Sequence, residues 1–275
     1  MRVLVTGAAG SIGAVLCAGL VDRGHTVVGL DLIPEPGGFP GEWATADCAD
    51  PDAVEAVFVA AARTGALEAV VHLAGMPTEA SLPEELTSHV VTTGALLDAM
   101  VRHGVTRIVY ASSNHAVGRT PRGDDLLEVD VRPRPDTFYG VAKVAAEALL
   151  SLYADRYGLD AVATRIGSFL AAPESVRHLS TWLSHDDAVR MFEAALTTPD
   201  PGFAVLYGIS ANTRAWWDLD AGRALGYHPQ DDAERYVDQV TRDPGRDDVE
   251  GAHVGGSYLS ETLHRPALDG PTRPG

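Results

Sequence analysis

The chain has 275 residues, of which 45% are hydrophobic and 21% charged, a composition typical of a soluble globular protein. Its length suits one large α/β domain or a main domain with a small lobe. The formal net charge of −17 argues against binding to nucleic acids or anionic membranes, because both require a basic protein surface. The only cysteines are Cys17 and Cys48, and we predict that both are reduced thiols of an intracellular protein.

Residues 3–21 contain no charged side chain, and this segment is long enough to resemble a membrane span or a signal peptide. Glycine and hydroxyl residues make it a poor lipid-facing helix, namely Thr6, Gly7, Gly10, Ser11, Gly13 and Gly19. A strand, a glycine turn and a buried helix explain the segment better. We find no other targeting segment, so the cytoplasm is the expected location.

Short apolar runs alternate with helical periodicity, which is the pattern of βαβ units around a parallel sheet. We predict strands at residues 2–6, 26–31, 42–45, 69–73, 107–112 and 161–166. We predict helices near residues 11–23, 52–63, 84–103 and 139–157. The expected fold is α/β: a Rossmann-type, doubly wound parallel sheet with a small C-terminal substrate lobe.

The turn after the first strand carries the spacing G-x-x-G-x-x-G, formed by Gly7, Gly10 and Gly13. Glycine allows the tight turn and lets backbone N–H groups approach a pyrophosphate, which then faces the positive end of the following helix. A glycine triplet alone is a weak signal, but its place at the first strand–helix turn predicts a dinucleotide site.

Asp31 ends the second predicted strand, where a carboxylate can accept hydrogen bonds from the adenosine ribose and would repel a 2′-phosphate. Leu32 and Ile33 follow, with no arginine to neutralise such a phosphate, so NAD is favoured over NADP. Asp47 is a candidate for the adenine amino group, and a simple turn-forming role is the alternative. The residues predicted to contact NAD in this part are Gly7, Gly10, Ser11, Ile12, Gly13, Asp31, Leu32, Asp47, Cys48, Leu73, Ala74 and Gly75.

Lys143 is the single lysine among the 21 Lys and Arg residues, and it stands four residues after Tyr139 on a predicted helix. Positions i and i+4 share one helix face, and an ammonium there favours the phenolate and lowers the tyrosine pKa. The alternative is a solvent-exposed lysine on a helix surface. Ser112 and Ser113 close the fifth predicted strand and supply a candidate hydroxyl.

The alternation of strands and helices changes after Ile166, where a proline-containing loop at residues 171–179 follows. We expect Asp186 or Asp187 to cap a helix that runs to Leu196. A strand at residues 203–209 and helical pieces at 216–225 and 231–240 complete the predicted lobe, and an extended tail is expected from Arg242 onward. The predicted units are therefore an NAD-binding domain at 1–170 and a substrate lobe with tail at 171–275, interleaved into one compact unit.

Strand-end serine, helix tyrosine and the lysine one turn later resemble the short-chain dehydrogenases, and the glycine spacing resembles their extended branch. The segments "ASSNHAVG", "YGVAKVAAE", "RIGS", "STWLSHDD" and "YGISANTRAWWD" further resemble the uronate dehydrogenase family, over about residues 2–258. That resemblance implies NAD-dependent oxidation of the C1 hydroxyl of glucuronate or galacturonate to an aldarolactone. It also implies a homodimer or a multiple of it, formed through the helices at 84–103 and 139–157.

The resemblance assigns roles to individual residues. Tyr139 is the general base, Lys143 holds the nicotinamide ribose and lowers the tyrosine pKa, and Ser113 binds the reacting oxygen. Ile166 lines the nicotinamide pocket together with Tyr139 and Lys143. The substrate-binding residues implied are Pro77, Ser113, Asn114, His115, Tyr139, Ser168 and Arg177, with Arg177 gripping the carboxylate.

One position departs from the family pattern, because Pro77 stands where a serine is common and is followed by Thr78. We expect the lost hydroxyl to alter the preference among uronate epimers unless Thr78 replaces it, and the reaction class to be unchanged. No histidine has trustworthy metal-ligand spacing, so no metal is expected. Two alternatives remain: a nucleotide-sugar epimerase or dehydratase, which usually needs a larger C-terminal lobe, and a dinucleotide-binding sensor, which should lack part of the Ser, Tyr and Lys set.

Overall fold

The computed structural model describes residues 1–259. Its strands are β1 (Arg2–Thr6), β2 (Thr26–Asp31), β3 (Glu42–Thr45), β4 (Ala69–His72), β5 (Arg107–Ser113), β6 (Asp160–Ile166), β7 (Ser168–Phe169), β8 (Trp182–Leu183) and β9 (Phe203–Gly208). Seven of them form one parallel sheet in the order β3-β2-β1-β4-β5-β6-β9. The strand order reverses between β1 and β4, which is the place where such sheets bind ligands.

The α-helices are α1 (Ser11–Asp22), α2 (Pro51–Ala62), α3 (Leu82–Glu85), α4 (Thr92–His103), α5 (Phe138–Tyr157), α6 (His178–Thr181), α7 (His185–Thr197), α8 (Asp220–Ala224) and α9 (Pro244–Gly251). A π-helical turn spans Leu86–Val91, and 3₁₀ turns span Asn114–Val117, Ala233–Gln239 and Gly256–Leu259. Within the described residues, no helix combines the length and hydropathy needed to cross a bilayer.

Both faces of the sheet are covered by helices, which confirms the doubly wound α/β prediction. Successive residues of a strand point to opposite faces, so Val3 and Val5 of β1 join the core beneath α1 and α7. Leu4 between them joins the other core, beneath α2, α4 and α5. Burial on both faces explains why the strands are continuous apolar runs rather than alternating ones.

The predicted elements of the N-terminal half are confirmed with boundaries shifted by one or two residues, except in one place. The helix predicted over residues 84–103 begins as the short α3, widens into the π-helical turn and continues as α4. A second correction concerns α7: its N-cap is Ser184, whose hydroxyl accepts from the Asp187 N–H. Asp186 and Asp187 lie in the first turn, where carboxylates interact favourably with the helix dipole.

The C-terminal part is more deeply built into the domain than its sequence predicts. Strand β9 extends the main sheet beside β6, and α7 packs on α1 in the same layer. The expected extended tail is wrong for residues 244–259, which form α9 and a 3₁₀ turn. The rest of the predicted tail, residues 260–275, lies outside the described residues.

Candidate active site

The glycine turn brings β1, the start of α1 and the end of β4 into close contact. Gly7 has φ +66°, and a Cβ at this position would lie 2.8 Å from the backbone nitrogen of Ala74. A Cβ at Gly13 would overlap the carbonyl oxygen of Gly7. A side chain at either position would push β1, β4 and α1 apart, so glycine is required for this close packing. The N-terminus of α1 then faces the cleft, where its N–H groups can receive a diphosphate.

A cavity of about 820 Å³ runs along the carboxyl ends of β1, β2 and β4. Its lining includes nine of the residues predicted to contact NAD: Gly7, Gly10, Asp31, Leu32, Asp47, Cys48, Leu73, Ala74 and Gly75. At the edge of β2, the Asp31 carboxylate accepts from the N–H groups of Ala9 (2.9 Å) and Leu32 (2.8 Å). The carboxylate is thus fixed at the end of β2 beside the glycine turn, where a carboxylate can bind the adenosine ribose of NAD.

Six predicted cofactor residues do not line this cavity, and two of them, Tyr139 and Lys143, lie on α5. Ser11, Ile12 and Gly13 form the first turn of α1, and Ile166 ends β6 beside Ser113. Pro77, which the resemblance assigns to the substrate, also lines this cavity. The candidate catalytic residues therefore lie beyond this cavity, near β5 and α5.

Asp31→Ser is expected to lower kcat/KM with NAD by about 10-fold or more, because hydrogen bonds to a charged group contribute about 1.5–3 kcal/mol. The variant should also gain activity with NADP, since the charge that repels a 2′-phosphate is gone. Steady-state kinetics with both cofactors measure the ratio. Asp47→Asn is the matched control: it changes a carboxylate of the same cavity and should give no gain with NADP.

The two serines at the end of β5 face opposite sides of the strand, which separates their roles. Ser112 donates to Glu147 Oε1 at 2.5 Å, and Glu147 is paired with Arg165 inside the protein (2.8 Å). Ser113 points to the active-site side, where its Oγ accepts from the His115 N–H at 3.2 Å. The structure therefore places Ser113, and not Ser112, with the other candidate catalytic groups.

Tyr139 and Lys143 lie on one face of α5, next to Ser113. The Lys143 Nζ is 5.2 Å from the centre of the Tyr139 ring and 4.8 Å from that of Tyr110, and it donates to the Ala111 carbonyl oxygen at 2.7 Å. The Ser113 hydroxyl lies close enough to the Tyr139 phenol to oppose part of the increase in the tyrosine pKa that burial causes. The three predicted catalytic groups are therefore brought together at the carboxyl end of β5.

The pKa values of this cluster differ from the sequence-based expectation. Burial raises the pKa of Tyr139 above its ordinary value, with smaller increases from the charges of Glu85 and Tyr258. Burial also lowers the pKa of Lys143 to about 7, although the carboxylates of Glu85 and Glu147 oppose that change. The lysine alone does not produce a phenolate here, because the loss of solvent outweighs its charge.

The pKa of Lys143 predicts how stability changes with pH. Between about pH 7 and pH 10.4 the unfolded chain keeps this proton and the folded protein loses it, so stability rises with pH. Relative to Lys143→Met, the wild type should gain at most about 1.4 kcal/mol per pH unit in this window. Urea unfolding of both proteins at several pH values measures the difference, and a constant difference would contradict the assignment.

A buried Glu–His pair behind Tyr139 was not predicted from the sequence. His89 lies on the π-helical turn, its ring centre 5.1 Å from that of Tyr139, and its Nε2 is 3.3 Å from Glu85 Oε2. Burial lowers the pKa of His89 to about 3 and raises that of Glu85. Gly75 is required here because a Cβ on it would overlap the His89 ring. No local sequence signal identifies this pair, because its position depends on the wide π-helical turn.

Asn114 and His115 follow Ser113 directly on a 3₁₀ turn, and His115 lies beside Tyr139. The His115 ring centre is 5.8 Å from that of Tyr139, and its Nδ1 is 3.0 Å from both carboxylate oxygens of Asp136. Asn114 Nδ2 donates to the Val254 carbonyl oxygen at 3.2 Å. Asp136 was missed by sequence reasoning, although it stands only three residues before Tyr139.

Arg177 approaches this region from the other side. Its Nη2 donates to the same Val254 oxygen at 2.6 Å, so this residue links Arg177 to Asn114. Its Nη1 is buried without a hydrogen-bond partner in the described part of the chain, and burial lowers the pKa of Arg177 to about 10. The side chain also lines a separate cavity of about 430 Å³ with Arg122 and Trp216.

The remaining predicted substrate residue, Ser168, lies on β7, where its hydroxyl pairs with that of Thr181 at 2.9 Å. Two further contacts near the site were not predicted. Glu79 accepts from the N–H groups of Phe138 and Tyr139 at 2.9 and 3.0 Å, so a carboxylate caps the N-terminus of α5. The Tyr258 ring lies 4.7 Å from that of His115, so the C-terminal segment covers this side of the site.

Comparison with known proteins agrees with this geometry. Residues 3–186 match the model of the NAD dependent epimerase/dehydratase family. The chain is 36% identical over 261 residues to the uronate dehydrogenase of Pseudomonas putida, covering 94% of this chain and 95% of that protein. The crystal structure of uronate dehydrogenase from Agrobacterium tumefaciens matches with a TM-score of 0.86 at 36% identity, covering 95% of this chain and 97% of that one.

A tyrosine-to-alanine mutant of the Agrobacterium tumefaciens enzyme, solved in complex with NAD, also matches with a TM-score of 0.86 and 36% identity, covering 95% of this chain and 98% of that one. The likeness extends over nearly the whole chain. The chain therefore belongs to the NAD dependent epimerase/dehydratase family and, within it, to the uronate dehydrogenases.

Proposed function

We propose that this protein oxidises the C1 hydroxyl of a hexuronate, glucuronate or galacturonate, to the aldarolactone with NAD as cofactor. The observation that carries the proposal is the grouping of Ser113, Tyr139 and Lys143 beside a cavity that fits NAD. A second observation supports a substrate that bears a carboxylate. Arg177 is a buried positive charge with no carboxylate within salt-bridge distance among residues 1–259. A carboxylate-bearing sugar satisfies both.

In the reaction, the C1 hydroxyl loses its proton to the Tyr139 oxygen and the C1–H bond breaks with its electron pair. When bound, NAD would supply the hydride acceptor and the positive charge of an oxidised nicotinamide. Ser113 donates a hydrogen bond to the reacting oxygen, while Lys143 holds the ribose beside Tyr139. Lowering a tyrosine pKa from about 10 to about 7–8 requires roughly 3–4 kcal/mol. Tyr139 therefore needs the positive charges of both Lys143 and the oxidised nicotinamide.

The epimerase alternative is less well supported by the architecture. A nucleotide-sugar enzyme must also hold a second nucleotide, usually with a larger C-terminal lobe. Here β9 and α7 belong to the main sheet and its helical layer, which leaves little of residues 171–259 for such a lobe. The sensor alternative requires a lost catalytic group, but Ser113, Tyr139 and Lys143 are all present and adjacent.

The test is to mix the purified protein with NAD and to follow NADH absorbance after adding glucuronate, galacturonate, their neutral aldose counterparts or UDP-sugars. We expect NADH with the free uronates, identification of the product as the lactone, and weak activity with the neutral aldoses. NADH from UDP-sugars alone would support a different nucleotide-sugar reaction. NAD binding without turnover of any sugar would support the sensor.

Arg177→Ala is expected to raise KM for uronates by about 10-fold or more, because charge-assisted hydrogen bonds to a carboxylate contribute about 1.5–3 kcal/mol. The value for neutral aldoses should change little. Arg214→Ala is the control, because Arg214 lines the same small cavity but is already paired with Glu234 at 2.7 Å. Equal KM values for uronates in wild type and Arg177→Ala would remove the carboxylate role.

We further propose a homodimer or a multiple of it, formed through the outer faces of α4 and α5. Both helices expose large apolar side chains, namely Val101, Val141, Leu152 and Tyr157. Exposed apolar side chains at one surface are what a subunit interface covers. Light scattering on the purified protein measures the mass, and a monomer at all concentrations would contradict this proposal.

A further inference from the structure

The carboxylate of Asp136 is enclosed and is in hydrogen-bond contact with one basic side chain, that of His115. Both its oxygens lie 3.0 Å from His115 Nδ1, and its side chain has 0% exposure. A Cβ on Gly118 or on Gly255 would overlap this carboxylate. Within residues 1–259, no lysine or arginine nitrogen lies within salt-bridge distance of it. A buried carboxylate is costly without strong partners, so its contact with the histidine must be kept.

This contact determines which nitrogen of the His115 ring carries hydrogen. An ionised carboxylate can only accept a hydrogen bond, so Nδ1 must hold the proton. In the neutral ring, Nε2 then has a free electron pair and can only accept. Thr137 Oγ1 donates to Asp136 Oδ1 at 3.2 Å, and the two glycines leave no room for the carboxylate to turn away.

The oriented ring lies inside the proposed active site. The backbone N–H of His115 donates to Ser113 Oγ. The His115 ring packs edge-to-face with the rings of Tyr139 and Tyr258. A neutral imidazole with a free Nε2 accepts a hydrogen bond from an alcohol, whereas the other tautomer would only donate. Sugar hydroxyl groups are the donors that the proposed substrate brings to this side of Tyr139.

We propose that Asp136 is a positioning residue that fixes His115 as the Nδ1–H tautomer, so that Nε2 accepts a hydrogen bond from a hydroxyl group of the sugar. The part of this proposal that concerns the sugar rests on the proposed function. Asp136 does not touch the reacting atoms; it acts on substrate binding through the histidine. The ligand class is therefore a polyhydroxylated sugar acid whose hydroxyl next to His115 must be a donor.

The first test is ¹⁵N NMR of the histidine side chains in the NAD-free protein, with His115 assigned by comparison with His115→Gln. We expect a protonated Nδ1 and an unprotonated Nε2 in the wild type. In Asp136→Asn the tautomer should change or become mixed, because an amide can also donate to Nδ1. Asp187→Asn is the matched control: that carboxylate is also fully buried and hydrogen-bonded, but it lies at the start of α7.

The second test is kinetic. Asp136→Asn should lower kcat/KM for the uronate by about 10- to 100-fold, by analogy with the loss of the partner that orients a metal-binding histidine. Most of the change should appear in KM, with NAD affinity unchanged, because the lost contact is made in the ground state as well. Combining Asp136→Asn with His115→Ala should cost little more than His115→Ala alone, since both changes remove one interaction.

A wild-type His115 protonated at Nε2 would overturn the proposal, and this result does not require any variant to fold. Additive effects of the two substitutions, or equal kcat/KM losses in Asp136→Asn and Asp187→Asn, would also overturn it. Failure of the proposed function is a separate outcome: the NMR spectrum would show the expected tautomer while no uronate produces NADH.

Discussion

Tyr139→Phe is expected to lower kcat by about 10²–10⁴-fold, the range that a positioned general base contributes. The substitution removes one oxygen and keeps the ring, which packs against His89 and His115. The proton of the C1 hydroxyl then has no acceptor beside Ser113. Stopped-flow measurement of NADH formation at saturating uronate and NAD gives the rate of the chemical step.

NAD binding is the control for this substitution. Tyr139 does not line the main cofactor cavity, so the dissociation constant of NAD, measured by calorimetry, should change less than the rate. A Tyr139→Phe enzyme with nearly wild-type kcat would mean that another group takes the proton. His115 would then be the next group to substitute, because it lies beside the same hydroxyl.

Lys143→Arg is expected to reduce kcat by about 10²-fold or more, although it preserves the positive charge. Lys143 is 4% exposed and fits between Tyr110, Tyr139 and the Ala111 carbonyl oxygen. A planar guanidinium is larger, carries its donors in a fixed fork and does not release its proton near neutrality. Arginine therefore cannot occupy the space of the Lys143 side chain, and it cannot release a proton there as a lysine can.

The pH dependence separates a role in catalysis from a loss of packing. Where Lys143 carries its proton, it stabilises the phenolate, so without the lysine the pH at which kcat is half-maximal should move upward in Lys143→Met. A packing defect alone would lower kcat at every pH without moving this midpoint. Ala142→Gly, which changes the neighbouring buried position of α5, is a suitable packing control. An unchanged midpoint in Lys143→Met would contradict the role of Lys143.

The sequence predicts the features that are set by local spacing. The glycine turn follows from three residues at fixed intervals, and Tyr139 and Lys143 share a face because they are one helical turn apart. The choice of Ser113 over Ser112 rested on resemblance. The structure adds the physical reason, since alternate residues of a strand point to opposite faces and Ser112 is turned to Glu147.

The features that could not be predicted depend on contacts between distant parts of the chain. Val254 contacts both Asn114 and Arg177, although 140 residues separate it from Asn114. The composition of the segment from Arg242 onward predicts only an extended tail. The sequence predicts strand β9 as part of a separate lobe, because it does not reveal that this strand pairs with β6. The pKa of Tyr139 was expected to fall because a lysine is close, but burial, which spacing does not reveal, has the larger effect.

Isotope transfer tests the central claim most directly, namely that a hydride leaves C1 of a uronate while Tyr139 takes the hydroxyl proton. The measurement is mass spectrometry of both products after reaction of NAD with glucuronate deuterated at C1. We predict deuterium in the reduced nicotinamide and a lactone without deuterium at C1. Deuterium retained at C1 of the sugar, or lost to water, would contradict the mechanism.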